Sequence, residues 1–344
     1  MDDGNHNHPL TMKDIARLLG VSVSTVSRAL QDHPGISKQR RELIKQFARE
    51  HHFRPNVVAE TLRNSRHTPQ KVIGVIMPEF VHYYFASVLT GIEQAASKRG
   101  YRIMVASSYE QAEREVSICD AFYRSQVCGI IVSQAKNTLN CDHFVRLTQD
   151  GVPLVFYDRI CTAINAHRVV VDDYMGTRKA VSYLLEHGCR RIAFFGTSPN
   201  MEISINRYNG YRDALNQHGI NIDENLIKLC DNRVVAEEIT PTMMQMVNPP
   251  DAFFAVNDDT AVGILHAVKK LGYRVPDDIS ICGFSGGNQG QATSPALNSV
   301  EQDGLRVGQE AADILMGLVE GTLDRNRAQK RVVKTRLVIR GSTR

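Results

Sequence analysis

The chain has 344 residues, 42% of them hydrophobic and 23% charged, which suits two or three packed domains and excludes a disordered, collagen-like or disulfide-built chain. Its seven cysteines are odd in number and include no C-x-x-C pair, so the usual zinc spacings are excluded and a reducing compartment is indicated. The net charge of +4 is uneven: residues 1–66 hold eleven Lys/Arg against seven Asp/Glu, and the remainder holds 30 against 30. A small basic module on a neutral body suggests a polyanionic partner for the module. No apolar run approaches the roughly 18 residues of a membrane span, and the acidic, His-rich start is unlike a signal peptide. A cytoplasmic protein without membrane contact is expected.

Residues 1–10 read as a disordered tail. Thr11 then caps a first helix, with Asp14 three residues on and Ile15, Leu18 and Leu19 as its apolar stripe. Gly20 stops it. Ser22 opens a second helix running to about Leu30, with Val26 and Ala29 or Leu30 turned inward. After the turn Asp32-His33-Pro34-Gly35, Ser37 opens a third helix with Leu43, Ile44, Phe47 and Ala48 on one face, and Pro55 ends the unit. Residues 11–54 form this first domain. Residues 55–66 follow as a linker with helical spacing at Val58, Ala59 and Leu62.

From Val72 the texture changes. VIGVIM (72–77), RIMVASS (102–108), GIIVS (129–133) and LVFYD (154–158) alternate with helical stretches, and RIAFFG (191–196), AFFAVN (252–257) and ISICGF (279–284) repeat the pattern. Near-continuous apolar strands separated by helices predict parallel sheets covered on both faces. The body therefore reads as two similar α/β lobes, an N-lobe of about 71–167 plus 298–330 and a C-lobe of about 168–297 plus 331–344. A helix near 303–320 and a strand VVKTRLVIRG (332–341) complete it.

The strongest local signal is Thr11 to Leu30. Two short capped helices joined by a Gly-containing turn make a helix-turn-helix, whose second helix suits the DNA major groove. Val21 and Val26 would pack the pair, leaving Val23, Ser24 and Arg28 outward. Arginine can contact guanine bidentately and valine suits a thymine methyl, while Ser22, Thr25 and Ser27 can reach phosphates.

The run KDIARLLGVSVSTVSRAL followed by RPNVVAETLR resembles the DNA-binding headpiece of the LacI/GalR family of bacterial regulators, and the two-lobed body resembles that family's effector core, of periplasmic-binding-protein type. The resemblance spans nearly all of the chain after residue 10. It implies a ligand-responsive repressor without cofactor, binding a near-palindromic operator in double-stranded DNA as a homodimer. By position, Val23, Ser24 and Arg28 would read base edges. Asn56, Ala59, Leu62 and Arg63 of the hinge would bind DNA, Ala59 and Leu62 entering the minor groove with Leu62 as the wedge that opens a central base step.

A small-molecule effector, a sugar or sugar derivative among the candidates, is implied between the lobes. Tyr84 and Phe85 match cleft-lining positions. Asp158 ends LVFYD at the strand edge where open α/β sheets bind ligands. Arg207, in N-R-Y-N-G-Y, matches an effector-holding arginine, and Asn257 ends AFFAVN where a polar ligand contact is common. Ser285 stands where many sugar-responsive relatives carry Asp, and Met201 and Ile203 replace polar contacts of purine-responsive ones, so the effector class stays open. No heptad tail follows the last strand, so a dimer is expected and not a tail-assembled tetramer.

Two rivals read less well. A solute-capture protein should carry a secretory signal and no basic headpiece. An enzyme would need a catalytic constellation: Gly283-Phe284-Ser285-Gly286-Gly287 fits G-x-S-x-G, but all twelve histidines, the last His266, precede the serine, whereas the hydrolase base follows it. The Leu62 assignment is directly testable. Leu62→Ala should weaken specific operator binding more than non-specific binding in a paired titration; equal losses would remove the wedge role.

Overall fold

The structure, a computed structural model, describes residues 10–30, 32–51, 53 and 71–344. The tail before Leu10 and the expected hinge, with Asn56, Ala59, Leu62 and Arg63, lie outside the described residues. Contacts divide the chain into one unit ending at Gln70 and a second from Lys71 to Arg344.

In the first unit, α1 (Met12–Leu18), α2 (Val23–Leu30) and α3 (Lys38–Glu50) enclose a core of Ile15, Ala16, Val26, Ala29, Ile44 and Ala48. The capping box forms as its spacing requires: the Asp14 N–H donates to Thr11 Oγ1 at 3.3 Å and the Thr11 N–H to Asp14 Oδ2 at 3.0 Å. Ser37 occupies the N-cap of α3 without a side-chain capping bond. Two expected core residues are corrected. Leu18 and Leu43 are 58% and 57% exposed, because Ile15, Ala16 and Leu19, and likewise Ile44, Phe47 and Ala48, centre their helix faces about 100° away from them.

The second unit holds two six-stranded sheets. The first runs β11-β5-β4-β3-β1-β2, all parallel: β1 (Val72–Met77), β2 (Arg102–Ser107), β3 (Gly129–Val132), β4 (Leu154–Tyr157), β5 (His167–Val171) and β11 (Lys330–Val333). The second runs β12-β10-β9-β8-β6-β7: β6 (Ile192–Gly196), β7 (Ile227–Leu229), β8 (Ala252–Ala255), β9 (Ser280–Ser285), β10 (Asn298–Glu301) and an antiparallel β12 (Arg336–Val338). The apolar runs become strands because both faces are covered. Ile73, Val75, Ile131 and Val155 pack on α4 (Tyr83–Lys98) and α12 (Gly304–Val319), while Ile76, Ile130 and Phe156 pack beneath α5 (Ala112–Arg124) and α6 (Asp142–Gln149). The second sheet is flanked by α7 (Asp173–Glu186) and α8 (Glu202–Gln217) on one side, and by α9 (Arg233–Met244) and α10 (Asp258–Lys270) on the other. A short α11 (Asn288–Gln291) follows β9.

Helices α4 and α12 touch backbone to backbone. A Cβ on Gly91 would run into the Leu305 carbonyl, and one on Gly308 into the Val88 carbonyl, so only glycine permits this approach.

The lobe boundaries differ from those read in the sequence. β5 and β11 close the first sheet, whereas β10 belongs to the second. The expected strand 332–341 is two, β11 and β12, in different sheets, with the break at Lys334-Thr335. The chain thus passes between lobes at 172, at 302–303 and at 334–335. β10 escaped notice because its buried Asn298 and Ser299 are polar. They are satisfied from far away: Asn298 N–H donates to Ser342 Oγ at 2.7 Å and Asn298 Nδ2 to Thr343 Oγ1 at 2.6 Å.

Candidate functional site

Two surfaces concentrate function. On the first unit, Ser22 caps α2 by accepting from the Thr25 N–H at 3.1 Å, and its hydroxyl lies 2.8 Å from those of Ser24 and Thr25. Ser22, Val23, Ser24 and Arg28 are exposed and Thr25 is half-buried. Ser27 is the correction. It is 6% exposed, the least accessible of the residues expected on α2 to reach DNA.

On the second unit, the carboxyl ends of the parallel strands of both sheets open onto one cavity of about 420 Å³, at the edge where such sheets bind ligands. Tyr84, Phe85, Asp158, Arg207, Asn257 and Ser285 all line it. The parallel topology makes this convergence unavoidable. Tyr84 and Phe85 start the helix after β1, Asp158 follows β4, Asn257 follows β8, and Ser285 ends β9.

Their bonding divides these residues by role. Arg207 is buried, with Nε donating to Asp173 Oδ1 at 2.8 Å and Nη1 to the Val256 carbonyl at 2.6 Å. Its guanidinium also stacks 3.9 Å from the Phe284 ring centroid. Arg207 therefore binds α7, α8 and the β8 and β9 ends into one wall before any ligand arrives. Asn257 is equally engaged: Oδ1 accepts from the Thr260 N–H at 2.8 Å as the N-cap of α10, and Nδ2 donates to the Asp231 carbonyl at 2.8 Å. Asp158 is different. It is 5% exposed, its backbone is left-handed at φ 58°, and its carboxylate takes no hydrogen bond among the described residues. Ser285 is also buried and left-handed, at φ 112°. Such backbone strain gathers at ligand sites.

Sequence reasoning missed most of the polar lining. Glu110, left-handed at φ 61°, accepts two bonds from Arg159 Nη1 at 2.6 and 2.8 Å and one from the Lys136 N–H at 2.8 Å. Lys136 Nζ reaches across to Asp231 Oδ2 of the other lobe at 3.2 Å. Asp258 accepts from the Gly287 N–H and from Ser299 Oγ, each at 2.5 Å. Burial pushes the Asp258 carboxyl up to about 6. Burial likewise raises Asp173 to about 6, opposed by its Arg207 partner and reinforced by Asp158. His82 is driven down, mainly by burial. Four buried polar atoms of the lining have no partner: His82 Nδ1, Tyr84 Oη, Arg159 Nε and Gln302 Nε2. The one usable signal in the sequence was position, since each follows or neighbours a strand end.

Comparison with known proteins finds a family match in each unit. Residues 11–56 match the model of bacterial regulatory proteins of the lacI family, and residues 181–343 match that of the periplasmic binding protein-like domain. The chain therefore joins a lacI-family DNA-binding domain to a periplasmic binding protein-like domain. It is a ligand-responsive, DNA-binding transcriptional regulator. The HTH-type transcriptional repressor CytR of Escherichia coli (strain K12) is 29% identical over 335 residues, covering 97% of this chain and 96% of that protein. The ribose operon repressor of Halalkalibacterium halodurans is 28% identical over 336 residues, covering 97% of each chain. Among solved structures, the lac repressor dimer bound to operator and the anti-inducer ONPF shares the fold with a TM-score of 0.84 at 23% identity, over 98% of this chain and 99% of that one. Among the described residues, no helix is long and apolar enough to cross a membrane.

Because Arg207 already holds the second lobe together, its loss is structural as well as functional. Arg207→Ala leaves Asp173 buried without its partner and should cost about 3–5 kcal/mol in chemical denaturation. A loss within experimental error would show that the pair is not structural.

Proposed function

We propose that this regulator is a cytoplasmic repressor that binds a near-palindromic operator as a homodimer and takes a neutral, polyhydroxylated small molecule, a sugar or nucleoside, in the cleft. Val23, Ser24 and Arg28 read base edges, and Ser22 and Thr25 meet phosphates. The hinge residues Asn56, Ala59, Leu62 and Arg63 bind DNA, Ala59 and Leu62 in the minor groove. The relatives named above support both halves of the reading, a ribose operon repressor and a lac repressor bound to its operator among them.

The observation that carries the effector class is the set of unpartnered buried groups. Tyr84 Oη, Arg159 Nε, Gln302 Nε2 and His82 Nδ1 offer hydrogen bonds that the protein does not use, and the Asp158 carboxylate can accept two. A buried polar atom left without a partner costs about 1–3 kcal/mol, so a ligand rich in hydroxyls recovers that cost when it binds. Phe85 and Tyr84 supply the apolar face that a sugar ring or base requires. Charge argues against phosphates. The lining holds Glu79, Glu110, Asp158, Asp231, Asp258 and Asp259 against only Lys136, Arg159 and Arg207, and each of these three cations is already paired.

Mechanism follows from the placement of these groups on two lobes. Asp158, Tyr84 and Arg159 belong to the first, while Arg207, Asn257 and Ser285 belong to the second, so a ligand touching both favours the closed arrangement. It shifts the regulator only by its differential affinity for the two arrangements. Thermal-shift screening of neutral sugars and nucleosides alongside their phosphates should find stabilisation by at least one neutral compound. Asp158→Asn suits the left-handed backbone. It should weaken that compound by roughly 10- to 100-fold, the worth of a charged hydrogen bond, with operator affinity unchanged. Response to phosphates alone, or an undiminished response in the variant, would overturn the reading.

A further inference from the structure

Among the described residues, two ion pairs cross from one lobe of the second unit to the other. Lys136 Nζ lies 3.2 Å from Asp231 Oδ2, and Lys330 Nζ lies 3.0 Å from Glu202 Oε1. Lys136 follows β3 and Lys330 opens β11, both of the first sheet, whereas Asp231 follows β7 and Glu202 opens α8 of the second lobe. Each pair exists only while the two lobes stand close.

Both ends of the first pair are held before they meet. The fully buried Glu115 accepts from the Ala135 N–H at 2.6 Å and from Thr138 Oγ1 at 2.7 Å, and the Lys136 N–H donates to Glu110 at 2.8 Å. These bonds pin the loop on both sides of Lys136 and leave its side chain to be ordered. Across the gap, Asp231 Oδ2 also accepts from Thr197 Oγ1 at 3.3 Å, and the Asp231 carbonyl accepts from Asn257 Nδ2 at 2.8 Å. An exposed ion pair is worth little partly because two long side chains must be ordered to form it. Here one side chain is short and already bonded, and both residues are half-buried.

Position gives this pair leverage. The chain passes between lobes at the ends of β5, β10 and β11, and in the second sheet β12 and β10 lie at one edge while β7 lies at the other. Four strand spacings separate β10 from β7, about 19 Å, so an opening of about 10° around the passages carries Asp231 about 3 Å away. That breaks the bond. Lys136 and Asp231 also border both the cleft and an outer groove of about 410 Å³ next to Leu139 and Leu229, so the bridge stands at the cleft rim.

We propose that Lys136 is a lobe-closing residue whose ion pair with Asp231 latches the cleft rim and favours the closed arrangement before any effector binds. A latch of this kind raises the fraction of protein ready to hold a ligand by both edges. Its retention of a cleft occupant rests on the effector reading above. Its hold on the lobes does not, and is tested without ligand.

A carbodiimide joins a carboxylate to an amine where the two touch. Treatment of the purified, ligand-free full chain, followed by peptide mapping, should yield a Lys136–Asp231 link and a Lys330–Glu202 link. Both yields should fall as salt rises from about 0.1 M to about 1 M and the reach of a charge shrinks from about 10 Å to about 3 Å. The second link then reports on the first from a distance. Lys136→Met and Asp231→Asn should each lower the Lys330–Glu202 yield about threefold. Lys136→Arg keeps the charge and should leave that yield near the wild-type value. A residue that served only its own loop would not move the second link. Wild-type mapping stands alone should a variant fail to fold. Absence of the Lys136–Asp231 link from the wild type, or an unchanged Lys330–Glu202 yield in Lys136→Met and Asp231→Asn, would overturn the proposal. Failure of the sugar and nucleoside screen would overturn the effector reading and leave the latch standing.

Discussion

The whole of the second unit rests on one topological constraint. In a parallel sheet every strand points the same way, so all the carboxyl ends, with their loops, open along a single edge. Two such sheets joined by three chain passages, at 172, 302–303 and 334–335, must present those edges to each other. The cleft is a consequence of the fold and needs no special loop to create it. The passages also limit what can move. Lobes tied by three short segments can tilt or twist, and a ligand held by both edges acts on that freedom.

Within the cleft, residues that build the wall are distinct from residues that wait for a ligand. Arg207, Asp173 and Asn257 have their bonds filled by the protein, and Arg207 spends its charge on a buried carboxylate and its face on Phe284. Asp158, Tyr84, Arg159 and Gln302 retain unused hydrogen-bonding capacity at the same depth. The Lys136–Asp231 bridge spans the gap between the lobes, so it responds to the separation of the edges. Glu110 orients Arg159 at one end of this network from a strained backbone. A rigid wall facing a set of unsatisfied donors is suited to reading hydroxyl positions on a small ring.

Much of this was legible from residues alone. VIGVIM coincides with β1 because a strand buried on both faces must be apolar throughout, and the same holds for the runs that became β3, β4 and β8. The six residues expected to meet an effector all line the cleft, five of them at or just after strand ends and Arg207 within α8. Other features had no local signature. β10 is polar and depends on Ser342 and Thr343, more than forty residues away. Glu110 meets Arg159 across 49 residues, and Lys136 meets Asp231 across 95. Leu18, Leu43 and Ser27 were misplaced for a common reason. Helical spacing narrows the inward face to about a third of the circumference, and neighbouring residues at its border are decided by packing against other helices.

The central claim is that the outward face of α2 reads DNA and that two copies do so together. Selection of bound sequences from random duplex DNA, with the purified ligand-free protein at physiological salt, tests this most directly. The account predicts enrichment of a two-fold symmetric site with a deformable central step, the half-sites related as two recognition helices require. Enrichment of a lone half-site, or of no site with or without cell extract as a source of small molecules, would contradict it.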